Sequence, residues 1–323
     1  MKFIFAMFAL LVSSLVSATP LNKMVVFGDS LSDTGNFYKH MDGQYPAYPY
    51  FNGRFTDGPV WIELVAEKLQ ATIVNYAFGG AGVVPRDNDE ESAIHHLHQE
   101  VSEYLEDTND VVDENSLYVI WIGANNYLAM PEDKRTAIGV VVDGIEYDMR
   151  ILIDKGAKHF LIANLPDLGV TPLAYEYEKN SHMSSLTVEH NVMLQGLLNE
   201  LHSVYPEVEI NLLNVGEMFS EVMQYPERFD INAETINESC FDKFPAQDGS
   251  LEASSSALSP AVSLLTSKGG YGSGDEGQTS NPCEGYLFFD MVHPTATAHR
   301  HLAERTLTLF DNLSLEFEKQ ITG

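Results

Sequence analysis

Basic residues are scarce in this sequence: eighteen Lys and Arg stand against forty-seven Asp and Glu, a formal charge of -29. A surface of that sign repels nucleic acid, which excludes a nucleic-acid partner. It also gains nothing from anionic lipid headgroups, so any lipid is held by apolar contact. Long apolar runs are missing after the first twenty residues, which excludes a membrane-spanning segment from there on. The early run, Phe3 to Val16 behind Lys2 and closed by Val16-Ser17-Ala18, has the form of a secretory signal peptide cleaved after Ala18. Residues 1–18 are therefore expected to direct secretion and be removed.

Cysteine is limited to Cys240 and Cys283. An even pair in an exported chain favours a disulfide over a metal or redox site, with two free thiols as the alternative. Closing that loop of about 44 residues would restrict the unfolded chain by about 4 kcal/mol in the entropy model. Internal repeats and a second core are also missing, so a single domain is expected over 19–315. A polar tail, native or appended, follows at 316–323. His95, His96 and His98 lie near Glu100 at spacings that could put two ligands on one face. Nothing else there declares a metal, so these residues read as a solvated helix face, as His299 and His301 do. No cofactor is expected.

Apolar residues make up 44% of the chain, enough for a sizeable buried core. Short apolar runs bounded by turn residues predict strands at Met24 to Gly28, Thr72 to Tyr76, Ser116 to Gly123, His159 to Leu165 and Glu209 to Val215. Between them, spacings of three and four predict helices at Trp61 to Leu69, Ser92 to Leu105, Arg135 to Lys155, Ser184 to Tyr205 and Pro294 to Phe310. Alternation of the two implies an α/β protein whose parallel sheet is covered on both faces. The stretch near 225–285, with Ser-Ser-Ser at 254–256 and a Gly-rich run at 269–274, breaks the pattern and reads as a long insertion pinned by the cysteines.

In Val25-Val26-Phe27-Gly28-Asp29-Ser30, a buried strand ends in a serine where open α/β sheets place their ligand sites. Ser30 is either a nucleophile or, with Asp29, a helix cap. Near the other end, Asp290 and His293 stand three residues apart before Pro294, a residue suited to a first helical position. A nucleophilic serine needs a base in reach and the base needs a partner on its other nitrogen, and this pair could supply both. Two glycine-bearing strand ends, Phe78-Gly79-Gly80-Ala81 and Gly123-Ala124-Asn125-Asn126, could offer N–H donors to an oxyanion. Asp33 and Asn36 read as braces of the loop after Ser30. Tyr45, Tyr48, Tyr50 and Phe51 either wall an acyl groove or pack as a lid.

These four blocks, in this order, resemble the GDSL lipase/esterase (SGNH hydrolase) family over nearly the whole mature chain. The fuller stretches Gly28 to Asn36 and Tyr50 to Gly58, with Trp61, are similar to its subgroup of secreted lysophospholipases and glycerophospholipid:cholesterol acyltransferases. The resemblance implies a three-layer sandwich with a central, mainly parallel five-stranded sheet. It implies Ser30, Asp290 and His293 as catalytic residues, with the oxyanion held by Ser30 N–H, Gly80 and Asn125, and Gly79 as the fallback for Gly80. Where the family's motif carries Gly-x-Asn-Asp, this chain has Asn126 in last place.

The implied activity is a secreted serine esterase acting on lysophospholipids and phospholipids, with acyl transfer to sterol. Implied partners are lipid aggregates or membranes, touched peripherally, and a protease that activates by cleaving the insertion. A carbohydrate acetyl esterase and a binding module without chemistry are the alternatives.

Overall fold

The computed structural model describes residues 20–83, 94–241 and 282–319. The expected leader at 1–18 and the interior of the insertion lie outside them. Five strands form one sheet among the described residues: β1 (Lys23–Gly28), β2 (Thr72–Asn75), β3 (Ser116–Trp121), β4 (His159–Ala163) and β5 (Glu209–Leu213). Every pairing is parallel, in the order β2-β1-β3-β4-β5. Parallel neighbours need long crossovers, and helices supply them.

Successive strand residues point to opposite faces, and both faces are apolar. Val25, Phe27, Tyr118 and Ile120 join the core beneath α3 (Leu97–Asp107), α5 (Lys134–Asp154) and α7 (Asn180–Val204). Met24, Val26, Leu117 and Val119 join the core beneath α2 (Trp61–Leu69), α8 (Val215–Gln224) and α9 (Ala296–Leu313). The expected three-layer α/β sandwich is thus present. Its continuous apolar strands follow from burial on both sides.

The strand order reverses direction between β1 and β3, and in such sheets ligands sit in the crevice outside the carboxyl ends at that point. Gly28 and Trp121 are register partners there. A Cβ on Gly28 would lie 2.4 Å from the Trp121 carbonyl oxygen, so only glycine lets these two strand ends approach.

Short helices α1 (Asn36–His40), α4 (Ala124–Tyr127) and α6 (Pro172–Glu176) surround this crevice. None of the three is predicted by periodicity, because five residues or fewer show little of it. Helix α8 is also unpredicted: the strand expected through Val215 ends at Leu213, and Val215 opens the helix. Pro294 does not open α9: Thr295 is the N-cap, and Pro294 forms an isolated bridge with Phe288. His299 is not on the surface but fully buried in α9, where its Nδ1 accepts the Trp61 N–H at 3.2 Å. Burial pushes its pKa down to about 3, with the nearby charge of His293 adding to the effect, so it stays neutral.

Candidate active site

The turn after β1 is built by Asp29, whose carbonyl accepts from the N–H groups of Ser32 and Asp33 and whose Oδ1 accepts from Leu31 N–H. Asp29 therefore holds the turn, and Ser30 is left to point out of it. The Ser30 Oγ lies 2.7 Å from His293 Nε2, and His293 Nδ1 lies 2.6 Å from Asp290 Oδ2. The structure brings Ser30, His293 and Asp290 together across more than 260 residues of chain, each at most 6% exposed.

Asp290 is held from all sides. Its Oδ1 accepts the backbone N–H groups of Val292 and His293, and its Oδ2 accepts Tyr50 OH at 2.8 Å as well as His293 Nδ1. Burial opposes its ionisation, but attraction to the imidazolium whenever His293 is protonated, together with the hydrogen bonds from His293 and the backbone, prevails and keeps the carboxyl below its ordinary value. An ionised carboxylate only accepts, so Nδ1 carries the imidazole proton and the Nε2 lone pair faces the serine hydroxyl. Tyr50 is thus neither simple lid nor acyl wall. Its ring packs among Phe289, Phe241 and Phe55 at 5.0, 5.5 and 5.9 Å, which fixes the hydroxyl on Asp290.

The Asp290 turn is tied to its surroundings through the backbone. Phe289 N–H donates to His293 O, while Cys240 and Phe241 donate to the carbonyls of Phe288 and Phe289. Cys240 and Cys283 form the expected disulfide. One shoulder of the insertion is therefore bonded directly to the segment that carries Asp290.

Of the candidate oxyanion donors, Ser30 N–H and Gly80 N–H donate to no atom among the described residues. Gly79 N–H is committed to Asp33 Oδ2 at 2.8 Å, which removes the fallback. Gly80 adopts φ 83, a left-handed conformation that favours glycine. Asn125 donates one Nδ2 hydrogen to Ala81 O at 2.9 Å, which orients its amide and leaves the second hydrogen for a ligand. Asn126, in the place of the family's carboxylate, accepts Val83 N–H at 2.8 Å through its amide oxygen. Asp33 accepts from Gly35, Asn36, Phe37 and Gly79, and Asn36 Nδ2 donates to Asn75 O and Ala77 O, so both brace the turn as expected.

Ser30, Asn125 and His293 open on a cavity of about 40 Å³ whose walls include Leu31, Trp121, Leu168 and Phe288. Gly80 does not line it. Around the turn after β1, Asp29, Asp33 and Glu100 are buried without an ion pair among the described residues. Glu100 Oε2 accepts Gly28 N–H, and its other oxygen has no partner among the described residues. Burial raises Asp29 to about 7 and Asp33 to about 6, and lifts Glu100 well above its ordinary value.

The histidines near Glu100 are not one solvated face. His96 is buried and caps α3 while its Nδ1 accepts Gly82 N–H. His95 stacks on Phe78, and His98 meets Asp148. Among the described residues no group of three or more His, Cys, Asp and Glu could hold a metal ion.

The family GDSL-like Lipase/Acylhydrolase matches residues 24–306. The chain is similar to a phosphatidylcholine-sterol acyltransferase of Aeromonas hydrophila, 32% identical over an alignment covering 94% of each chain. It is also similar to the secreted effector protein SseJ of Salmonella typhimurium, 25% identical over 89% of this chain and 63% of that protein, so it spans less than two thirds of that relative. Among solved structures, a member of the lipolytic protein G-D-S-L family from Veillonella parvula aligns with a TM-score of 0.46 at 12% identity, covering 90% of this chain and 98% of that one.

Proposed function

Because the chain belongs to the GDSL-like Lipase/Acylhydrolase family, and is a serine hydrolase or acyltransferase of it, we propose that it is exported and releases fatty acid from lysophospholipids and phospholipids. In the presence of a sterol it transfers the acyl group to the sterol hydroxyl. One observation carries this reading: the hydrogen-bonded series Ser30, His293, Asp290 ends at a cavity with apolar walls.

In the proposed reaction, His293 Nε2 takes the Ser30 Oγ proton as Oγ bonds to the ester carbonyl carbon. Asp290 stabilises the imidazolium that forms. Ser30 N–H, Gly80 N–H and the free Asn125 Nδ2 hydrogen hold the oxyanion, each such donor being worth about a hundredfold or more in rate. The C–O bond to the glycerol oxygen then breaks, and the imidazolium returns its proton to that oxygen. Water or a sterol hydroxyl next gives its proton to His293 as its oxygen bonds to the acyl carbon, and the imidazolium returns that proton to Ser30 Oγ as the acyl–Oγ bond breaks.

Export is supported by the leader-like sequence at 1–18 and by a secreted relative. Contact with lipid would be peripheral, since among the described residues no helix is long and apolar enough to cross a membrane. Activation by a protease cutting between Cys240 and Cys283 is supported by the bonds from Cys240 and Phe241 to the Asp290 turn. The apolar cavity favours a lipid over the acetylated sugar of the alternative reading, and the filled Ser30, His293 and Asp290 positions disfavour a module without chemistry.

The test is fatty-acid release from lysophosphatidylcholine, diacyl phosphatidylcholine and an acetylated sugar, with and without cholesterol, before and after limited proteolysis. Release from lysolipid that disappears in Ser30→Ala is expected, together with sterol ester when cholesterol is present. Intact lipid under every condition, or acetate release alone, overturns the reading.

A further inference from the structure

The cavity beside Ser30 has a neighbour. A groove of about 410 Å³ runs along α8 and is lined by Asp167, Val170, Phe219, Ser220, Met223 and Gln224. Asp167 and Phe219 line both spaces, so together they form the wall between cavity and groove. The two are held differently. Asp167 Oδ1 accepts Gly169 N–H and Oδ2 accepts the Ser184 hydroxyl, which anchors the carboxylate. Phe219 is held only by packing, with its ring 6.5 Å from that of Phe288.

A cavity of about 40 Å³ admits only a few methylene-sized groups, since one water already needs roughly 10–15 Å³ on the same measure. A longer substituent on the ester must leave it. A charged glycerophospho headgroup cannot shed its water against Leu31, Trp121, Leu168 and Phe288 without a compensating partner, whereas an alkyl chain gains there. Beyond Phe219 the groove continues with Val170 and Met223. The Ser220 hydroxyl on that wall is already spent on Gly216 O.

We propose that the acyl chain of the substrate ester passes Phe219 and lies in the groove along α8, so that Phe219 sets the acyl length the protein accepts. This rests on the acyl-ester reading of the Ser30 site. Phe219 narrows the passage from cavity to groove, so a long chain passes at a cost, and removing its ring widens that passage. Each methylene then buried multiplies binding by about fourfold.

The experiment uses the full chain and monomeric p-nitrophenyl esters, and reads the ratio of kcat/KM for the lauroyl ester to that for the butyryl ester. The ratio is expected to rise about tenfold in Phe219→Ala. It is expected to fall about tenfold in Met223→Trp, which fills the groove from its half-exposed side and guards against a Phe219 variant that fails to fold. A ratio within twofold of wild type in both variants overturns the groove assignment. The acyl-ester reading survives that result as long as Ser30→Ala abolishes hydrolysis. Absence of hydrolysis of either ester by wild type, both before and after limited proteolysis, overturns the parent reading and the assignment with it.

Discussion

At the scale of single residues, the account turns on how Asp290 is held. It receives Tyr50 OH in addition to the imidazole and two backbone N–H groups, and a hydrogen bond to a charged group is worth about 1.5–3 kcal/mol. Tyr50→Phe keeps the ring among Phe55, Phe241 and Phe289 and deletes only that donor. Steady-state kinetics should show kcat lower by about tenfold with KM little changed, since Tyr50 positions the acid and does not reach the substrate. An equal rise in KM at unchanged kcat would instead make Tyr50 a substrate contact. Its role could not be read in the chain, because the bond spans 240 positions and Tyr50 stands in a loop rich in other aromatics. Ser30, Asp290 and His293 were legible because a strand end and an Asp-x-x-His turn each leave a local mark. The misreading of His299 has the same origin. On α9 it is followed by Arg300 and His301, which mark an exposed face, and only the fold buries it under the start of α2.

At the scale of elements, the site depends on how closely the ends of β1 and β3 approach. Gly28→Ala would drive a methyl into the Trp121 carbonyl and force the strands apart. Overpacking of this kind costs about 1–3 kcal/mol. Urea unfolding should report that loss of stability, and activity should fall further than the folded fraction does, because Ser30 follows two residues later. Stability equal to wild type would show that the strand ends have slack. The five strands were legible as apolar runs to within one or two residues at each end. Helix α8 was overlooked although its marks are present. Asn214 Oδ1 caps Glu217 N–H, and Val215, Met218, Phe219 and Val222 follow at helical spacing. The apolar run of β5 continues through Leu213 and, past Asn214, to Val215, the first residue of α8, and this overlap masks the helical period that carries Phe219.

At the scale of the whole molecule, the excess of acid seen in the composition continues inside. Asp29, Asp33 and Glu100 are buried with raised pKa values. Between the unfolded value near 4 and these raised values, the folded protein binds more protons than the unfolded chain, so stability falls as pH rises through that window. Asp290, whose value is lowered, works the other way and contributes stability that is lost only on further acidification. His190 and His299, pushed down by burial to about 4 and about 3, also oppose the trend up to the ordinary histidine value, but the three carboxyls outnumber them. Thermal unfolding should therefore occur at a lower temperature at pH 8 than at pH 5. Glu100→Gln keeps an acceptor for Gly28 N–H and removes one buried acid, so it should narrow that difference by raising the midpoint at pH 8. An unchanged difference would mean that surface repulsion, not the buried carboxyls, sets the pH dependence, and added salt would then abolish it. The net charge was legible at once. That Glu100 joins Asp29 and Asp33 at the turn after β1 was not, because α3 reaches that turn only through the fold.

The most direct measurement is the site of covalent capture. Purified protein treated with a long-chain alkyl fluorophosphonate and analysed by peptide mass spectrometry should carry one adduct, on Ser30. Labelling should be slowed strongly by His293→Ala and only modestly by Tyr50→Phe. An adduct on a different serine, or lipid hydrolysis that continues while Ser30 stays unmodified, would contradict the assignment of Ser30 as the nucleophile.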